Sequence, residues 1–338
     1  MHMSLRSTIA ILATCATLPG CATGTATAAN GEPLHAAHRS RERSLRWQLE
    51  GEPSHHRWTL VLDELDAEPQ DSKQTMWRDV ARVADSWPDL ERRVPSHWLL
   101  DTPSKRPEMA ALVRHLDTGA LPASWRVDHN IPELDHITML TLVRSRQTLA
   151  LSKRSALAPP DAPVFPQLTH LVLRGSAAQG TGFTRLLTSP MLQRIEHLEI
   201  RSPLTTEQMR ALANTPMSAL KRLSLRGMTY AEDAARTEGL EALARAPYIP
   251  QLELLDLSFV PLRDDGAEAF FSALPVMKHL STLELARTGL GAAGVRALGK
   301  ARMDGRIRPL ERVDLSHNEL GDEGVEQLVL ARVVHGAS

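Results

Sequence analysis

The sequence predicts an α/β solenoid, a right-handed coil of strand–helix units with a parallel concave sheet, preceded by a small, mostly helical domain. Three observations predict it. First, one phrase recurs between Leu168 and Leu320: LTHLVL, IEHLEI, LKRLSL, LELLDL, LSTLEL and LERVDL, opening at Leu168, Ile195, Leu220, Leu252, Leu280 and Leu310 at intervals of 27, 25, 32, 28 and 30 residues. A period of this size marks a stacked array in which no unit buries its apolar face alone. Second, each phrase is apolar at places one, four and six, the alternation of a strand. Third, each is followed by apolar residues at helical spacing: Phe183, Leu186 and Leu187; Met209 and Leu212; Leu240 and Leu243; Ala267, Phe270 and Leu274; Val295 and Leu298; Val325 and Leu328. Thr205 with Gln208 reads as a capping box opening one of these helices. The G-x-x-G-V copies at Gly291, Gly294, Val295 and at Gly321, Gly324, Val325 predict a tight strand-to-helix turn.

The elements ahead of the array are read in order. Residues 1–21 have the pattern of an export leader: Arg6 is a basic start, and Ile9 to Leu18 is an apolar run too short to span a bilayer. Leu18-Pro19-Gly20-Cys21 resembles a bacterial lipobox, which implies a lipid on Cys21; Pro19 departs from the small residue usual there. Cleavage after an A-x-A-like site such as Ala26-Thr27-Ala28, or an uncleaved leader on a cytoplasmic protein, remains open. Only Cys15 and Cys21 occur, both in the leader, so a processed body has no disulfide and no thiol ligand beyond Cys21. Residues 22–40, rich in Ala, Thr and Gly, read as a flexible tether.

Residues 41–130 form the tryptophan-rich helical domain. All six tryptophans (Trp47, Trp58, Trp77, Trp87, Trp98, Trp125) lie there, and every Phe and Tyr follows, which places a boundary near residue 130. Trp58–Leu65 and Met76–Leu90 show helical spacing, and Pro88, Pro95, Pro103 and Pro107 divide the region into short helices. A solenoid's first unit exposes an apolar edge, so this domain is expected to cap it; an independent binding module is the alternative. Residues 131–338 carry the repeats, six clear copies from 168 and a degenerate copy at 134–142 (LDHITMLTL), with a proline-rich loop at 157–166 between them.

The repeats resemble leucine-rich repeats. The family pattern L-x-x-L-x-L-x-x-N-x-L is matched by Leu310, Val313, Leu315, Asn318 and Leu320, while Ser176, Pro203, Met228, Val260 and Thr288 stand at the family's asparagine in the earlier copies. Unit length is similar to the ribonuclease-inhibitor subclass, implying a full helix per unit. Turns lacking asparagine must satisfy their backbone groups otherwise, and their curvature is expected to be less regular.

Composition and motifs point away from catalysis. At 338 residues, 42% hydrophobic and 23% charged, the chain is globular, and its formal charge of −1 gives no global field for nucleic acid. No G-x-S-x-G, G-x-x-x-x-G-K, H-E-x-x-H or C-x-x-C occurs. His35, His38, His55, His56 and Asp63 are read as solvated rather than metal-binding, and Asp63, Glu64, Asp66 and Glu68 as a wet helix surface. No cofactor or metal is expected, and membrane contact is expected only through Cys21.

What the repeats offer is a surface. Side chains flanking the buried leucines point to the concave face. One column runs His170, His197, Arg222, Leu254, Thr282, Arg312; the next runs Val172, Glu199, Ser224, Asp256, Glu284, Asp314; the third begins Arg174, Arg201, Arg226 and continues Ser258, Ala286, Ser316. The face is therefore expected to be basic in its N-terminal half and acidic in its C-terminal half. A solubilising face with Arg201–Glu199 and Arg226–Asp256 paired is one reading. The other is a protein-binding face, which gives the expected function: a non-enzymatic interaction scaffold in the cell envelope, exported and lipid-anchored. The alternative is a cytoplasmic, secreted or injected adaptor whose helical domain recruits machinery while the repeats select a target.

Overall fold

The computed structural model describes residues 34–67, 76, 79–95, 113–118, 135–144, 165–226 and 233–333. The leader with Cys21, most of the tether, Trp77, Trp98, Trp125, Pro103, Pro107, Met228 and nearly all of the proline-rich loop lie outside the described residues.

The recurring phrases are strands of one sheet. β1 (Arg93–Pro95), β2 (His115–Thr118), β3 (Met139–Leu142), β4 (His170–Arg174), β5 (His197–Arg201), β6 (Arg222–Ser224), β7 (Leu254–Asp256), β8 (Thr282–Glu284) and β9 (Arg312–Asp314) pair in chain order. Every pairing is parallel. The register places the apolar residue at place four of each phrase directly opposite its counterpart: Leu171, Leu198, Leu223, Leu255, Leu283, Val313. Leu171 through Leu283 in that row are 3% exposed or less. Each such leucine contributes about 1.5–3 kcal/mol by leaving water, which is why the period sets the fold.

After each rung from β4 to β9 the chain turns into a helix behind the sheet. The helices are α3 (Gly180–Leu187), α4 (Thr206–Ala213), α5 (Asp233–Ala244), α6 (Arg263–Ala273), α7 (Ala292–Met303) and α8 (Gly321–Ala331). Consecutive members from α3 to α8 pack side by side. The capping box is present: Thr205 Oγ1 accepts from the Gln208 amide, and Gln208 Oε1 accepts from the Thr205 amide at 2.9 Å. The helical apolar residues named from spacing are buried through Leu298, whereas Val325 is 54% exposed.

The sheet begins earlier than the repeats read from sequence. β1 and β2 lie inside residues 41–130, expected to be helical, and the boundary placed near 130 falls between β2 and β3, which pair with each other. The degenerate copy is β3, with Ile137, Leu140 and Leu142 in the core. One apolar cluster runs from Leu45 to Val333. The tether is also shorter than expected, because α1 (Leu34–Glu50) starts at Leu34. α1 packs on α2 (His55–Asp66), which is opened by Ser54 accepting from the Arg57 amide and lies against β1. Trp58 and Trp87 are buried with ring centroids 6.2 Å apart, while Trp47 is 62% exposed beneath the Arg57 guanidinium.

Candidate binding face

The parallel register assembles the columns expected from sequence. His170, His197, Arg222, Leu254, Thr282 and Arg312 are successive partners, as are Val172, Glu199, Ser224, Asp256, Glu284 and Asp314, and Arg174 lies opposite Arg201. The earlier rungs lengthen both columns with residues the sequence reading did not single out: Arg93, His115 and Met139 in the first, Asp117 and Thr141 in the second. The signal was present in V-R-H-L, since His115 precedes its core leucine as His170 and His197 do theirs.

The acidic half is not a free negative field. Asp256 is only 5% exposed. It faces Arg226 Nε at 2.8 Å, accepts from Ser224 Oγ at 2.9 Å and accepts from the Ser258 amide at 2.9 Å. Arg226 also lies 3.7 Å from Glu284, which lies 3.7 Å from Arg312. Glu199 is paired with Arg201 on its own strand. Asp314 accepts from the Ser316 amide at 2.9 Å, which holds its carboxyl below the usual range. Arg201–Glu199 and Arg226–Asp256 pair as the solubilising reading expects, and Arg226 and Arg312 both approach Glu284, so each carboxylate from Glu199 to Glu284 has an arginine beside it.

The basic half differs in kind. His170 and His197 meet edge to face with centroids 3.7 Å apart. Burial pushes His197 down to about 4, helped by His170 and Arg222, and burial lowers His170 as well. Both rings are therefore neutral at neutral pH, and the positive charge there belongs to Arg174 and Arg222. Arg222 is exposed and Arg174 half-buried, and neither has an ion pair among the described residues. At the deep end, His115 is 2% exposed with Nε2 2.9 Å from Thr141 Oγ1, and burial pushes it down to about 4.

A second strip borders the face. Phe259, Arg287 and His317 occupy the same place in successive turns, all left-handed with φ of 63°, 55° and 58°, where Gly175 serves an earlier rung at φ 56°. Holding a non-glycine residue there costs on the order of 1 kcal/mol. Phe259 is 48% exposed with the Arg287 guanidinium 5.7 Å from its ring centroid. Pattern reading missed this strip because side-chain alternation ends with the strand.

Residues 276–299 and 307–329 match the protein-family model described as Leucine Rich repeat. No curated protein matches the chain. Among solved structures it is similar to an internalin (inlF) from Listeria monocytogenes, at 15% identity and TM-score 0.37 over 68% of this chain and 55% of that one. It is similar to the TLR13–ssRNA13 complex at 14% identity and TM-score 0.35, over 64% of this chain and 35% of that one. The Rad7 and Elc1 complex in yeast aligns at 12% identity and TM-score 0.32, over 83% of this chain and 84% of that one. The chain thus spans 55% and 35% of the first two. Among the described residues, the open sheet of nine parallel strands, backed by helices from β4 on, is a leucine-rich-repeat solenoid.

Proposed function

We propose that this protein is a non-enzymatic recognition scaffold, exported and anchored in the cell envelope through a lipid on Cys21, whose concave sheet receives a protein partner. Arrays of this architecture typically present an extended concave surface to another macromolecule. One observation carries the reading: Glu199, Asp256 and Glu284 each lie beside Arg201, Arg226 or Arg312, while Arg174 and Arg222 in the N-terminal half have no ion pair among the described residues. That imbalance favours an acidic segment of the partner, laid across β4 to β6. The remaining charged members of the columns, Glu199, Asp256, Glu284 and Asp314, act in this reading as the internal framework that fixes the arginines.

The test is a double reversal, Arg174→Glu with Arg222→Glu, in the full-length protein. Partner recovery from the native complex is expected to fall at least tenfold with the melting temperature unchanged; recovery equal to wild type refutes the reading. The anchor is tested by Cys21→Ser, which is expected to abolish acyl labelling. An intact Met1 on soluble protein would instead favour the cytoplasmic adaptor.

A further inference from the structure

Among the described residues, the last turn of the coil is the least covered. In the turn of β8 and α7, Leu283, Leu285, Leu290, Val295 and Leu298 are 1% exposed or less. One turn later, Val313, Leu315, Leu320 and Leu328 are only partly buried, and Val325, Val329 and Leu330 are 54%, 58% and 67% exposed. β9 pairs with a strand on one side only among the described residues, and just before it the Leu310 amide donates to the Val333 carbonyl at 2.8 Å. An apolar helix face beside an open strand edge is a surface that solenoids cover.

The edge is complementary to itself. β9 reads Arg312-Val313-Asp314. If a second β9 pairs antiparallel about Val313, each Arg312 stands opposite the other copy's Asp314, and the two Val313 side chains meet on the core side. The two-fold axis that does this runs from strand towards helix, and it necessarily sets α8 antiparallel against its own copy. α8 bears Asp322 in its first turn and Arg332 at its C-cap, with Val325 and Val329 between them. Antiparallel packing brings Asp322 towards the other copy's Arg332 and the valines together. A single axis thus satisfies strand edge, apolar face and both charge pairs, the signature of an isologous interface.

We infer that two copies of this chain join edge to edge through β9 and α8, forming one continuous sheet with both concave faces on the same side. This does not depend on the acidic-partner reading, whose arginines stand at the other end of the face. The full-length protein is expected to sediment and scatter as a dimer at micromolar concentration. Val329→Asp is expected to give the monomer with at least a tenfold weaker association. Arg312→Asp alone and Asp314→Arg alone each set like charges opposite one another and are expected to weaken association similarly. The double variant Arg312→Asp with Asp314→Arg restores opposite charges across the axis and is expected to recover the dimer. Melting temperatures confirm that each variant is folded. A monomeric wild-type protein overturns the inference and leaves the edge to a different protein. Dimers indifferent to Val329→Asp, or a folded double variant no better than the singles, overturn it equally.

Discussion

Asn318 is tied to Leu285 across one full turn of the coil, its Nδ2 donating to the Leu285 carbonyl at 2.7 Å. The same side chain accepts through Oδ1 from the Thr288 amide at 2.9 Å and the Leu290 amide at 3.2 Å. Thr288 holds the asparagine's place one turn earlier; its Oγ1 lies 2.8 Å from the Leu285 carbonyl and 3.1 Å from Asn318 Oδ1, and it makes no bond back to the preceding turn like that of Asn318 to Leu285. Removing Asn318 with Ala strands two amides, and about 2–3 kcal/mol of stability is expected to be lost. Urea denaturation checks this; a loss below 0.5 kcal/mol, on the order of an ordinary surface change, contradicts it.

Asp264 joins neighbouring turns through their helices. Its Oδ1 accepts from the Gly291 amide at 2.7 Å and the Gly294 amide at 2.8 Å, so a residue of α6 caps α7. Asp264→Ala is expected to lower stability by about 1–2 kcal/mol. Gly294→Ala should cost about 1–3 kcal/mol by crowding, since an added Cβ would sit 2.6 Å from Leu290 Cδ2 and 2.7 Å from Asp264 Oδ1. Thermal melts of both variants test the pair of claims.

The arginines of the third column are not equivalent. Arg226 is the ionic partner of the nearly buried Asp256, so Arg226→Glu would place a carboxylate beside Asp256 and Glu284. A loss of about 2 kcal/mol or more is expected, whereas Arg174→Glu should fall within about 0.5 kcal/mol of wild type. Equal melting temperatures for the two variants would remove the distinction between framework and docking arginines.

His115 makes stability pH-dependent. Its folded value of about 4 lies below the ordinary 6.5, so the unfolded chain takes up the proton first as pH falls. Stability contributed by the neutral ring is whole above pH 6.5 and lost progressively down to about 4, with a ceiling of about 3 kcal/mol. His115→Gln is expected to flatten that part of the profile. Denaturation midpoints at pH 7.5, 5.5 and 4.5, compared between the two proteins, decide it; parallel profiles would contradict the assignment.

The later turns were legible because their core positions are leucine at nearly every place, which fixes strand, register and concave columns together. β1 and β2 were not, because Arg93-Val94-Pro95 and His115-Leu116-Asp117-Thr118 offer one core residue each, and proline and tryptophan outweigh them in pattern reading. Within the face, column membership followed from alternation, but pairing did not. Whether Asp256 faced a partner or Arg226 depended on side-chain reach across rungs, and the Ser258 amide that completes its shell comes from a turn. Left-handed Phe259 and Arg287 were equally silent, since neither residue type announces that conformation.

Hydroxyl-radical footprinting of the full-length protein with and without its captured partner tests the central claim most directly. Protection is predicted at His170 and His197 on β4 and β5, with Val276 just after α6 and Met303 at the end of α7, 52% and 70% exposed, unchanged. Protection confined to Val276 and Met303, with both histidines as reactive as in the free protein, would contradict the account.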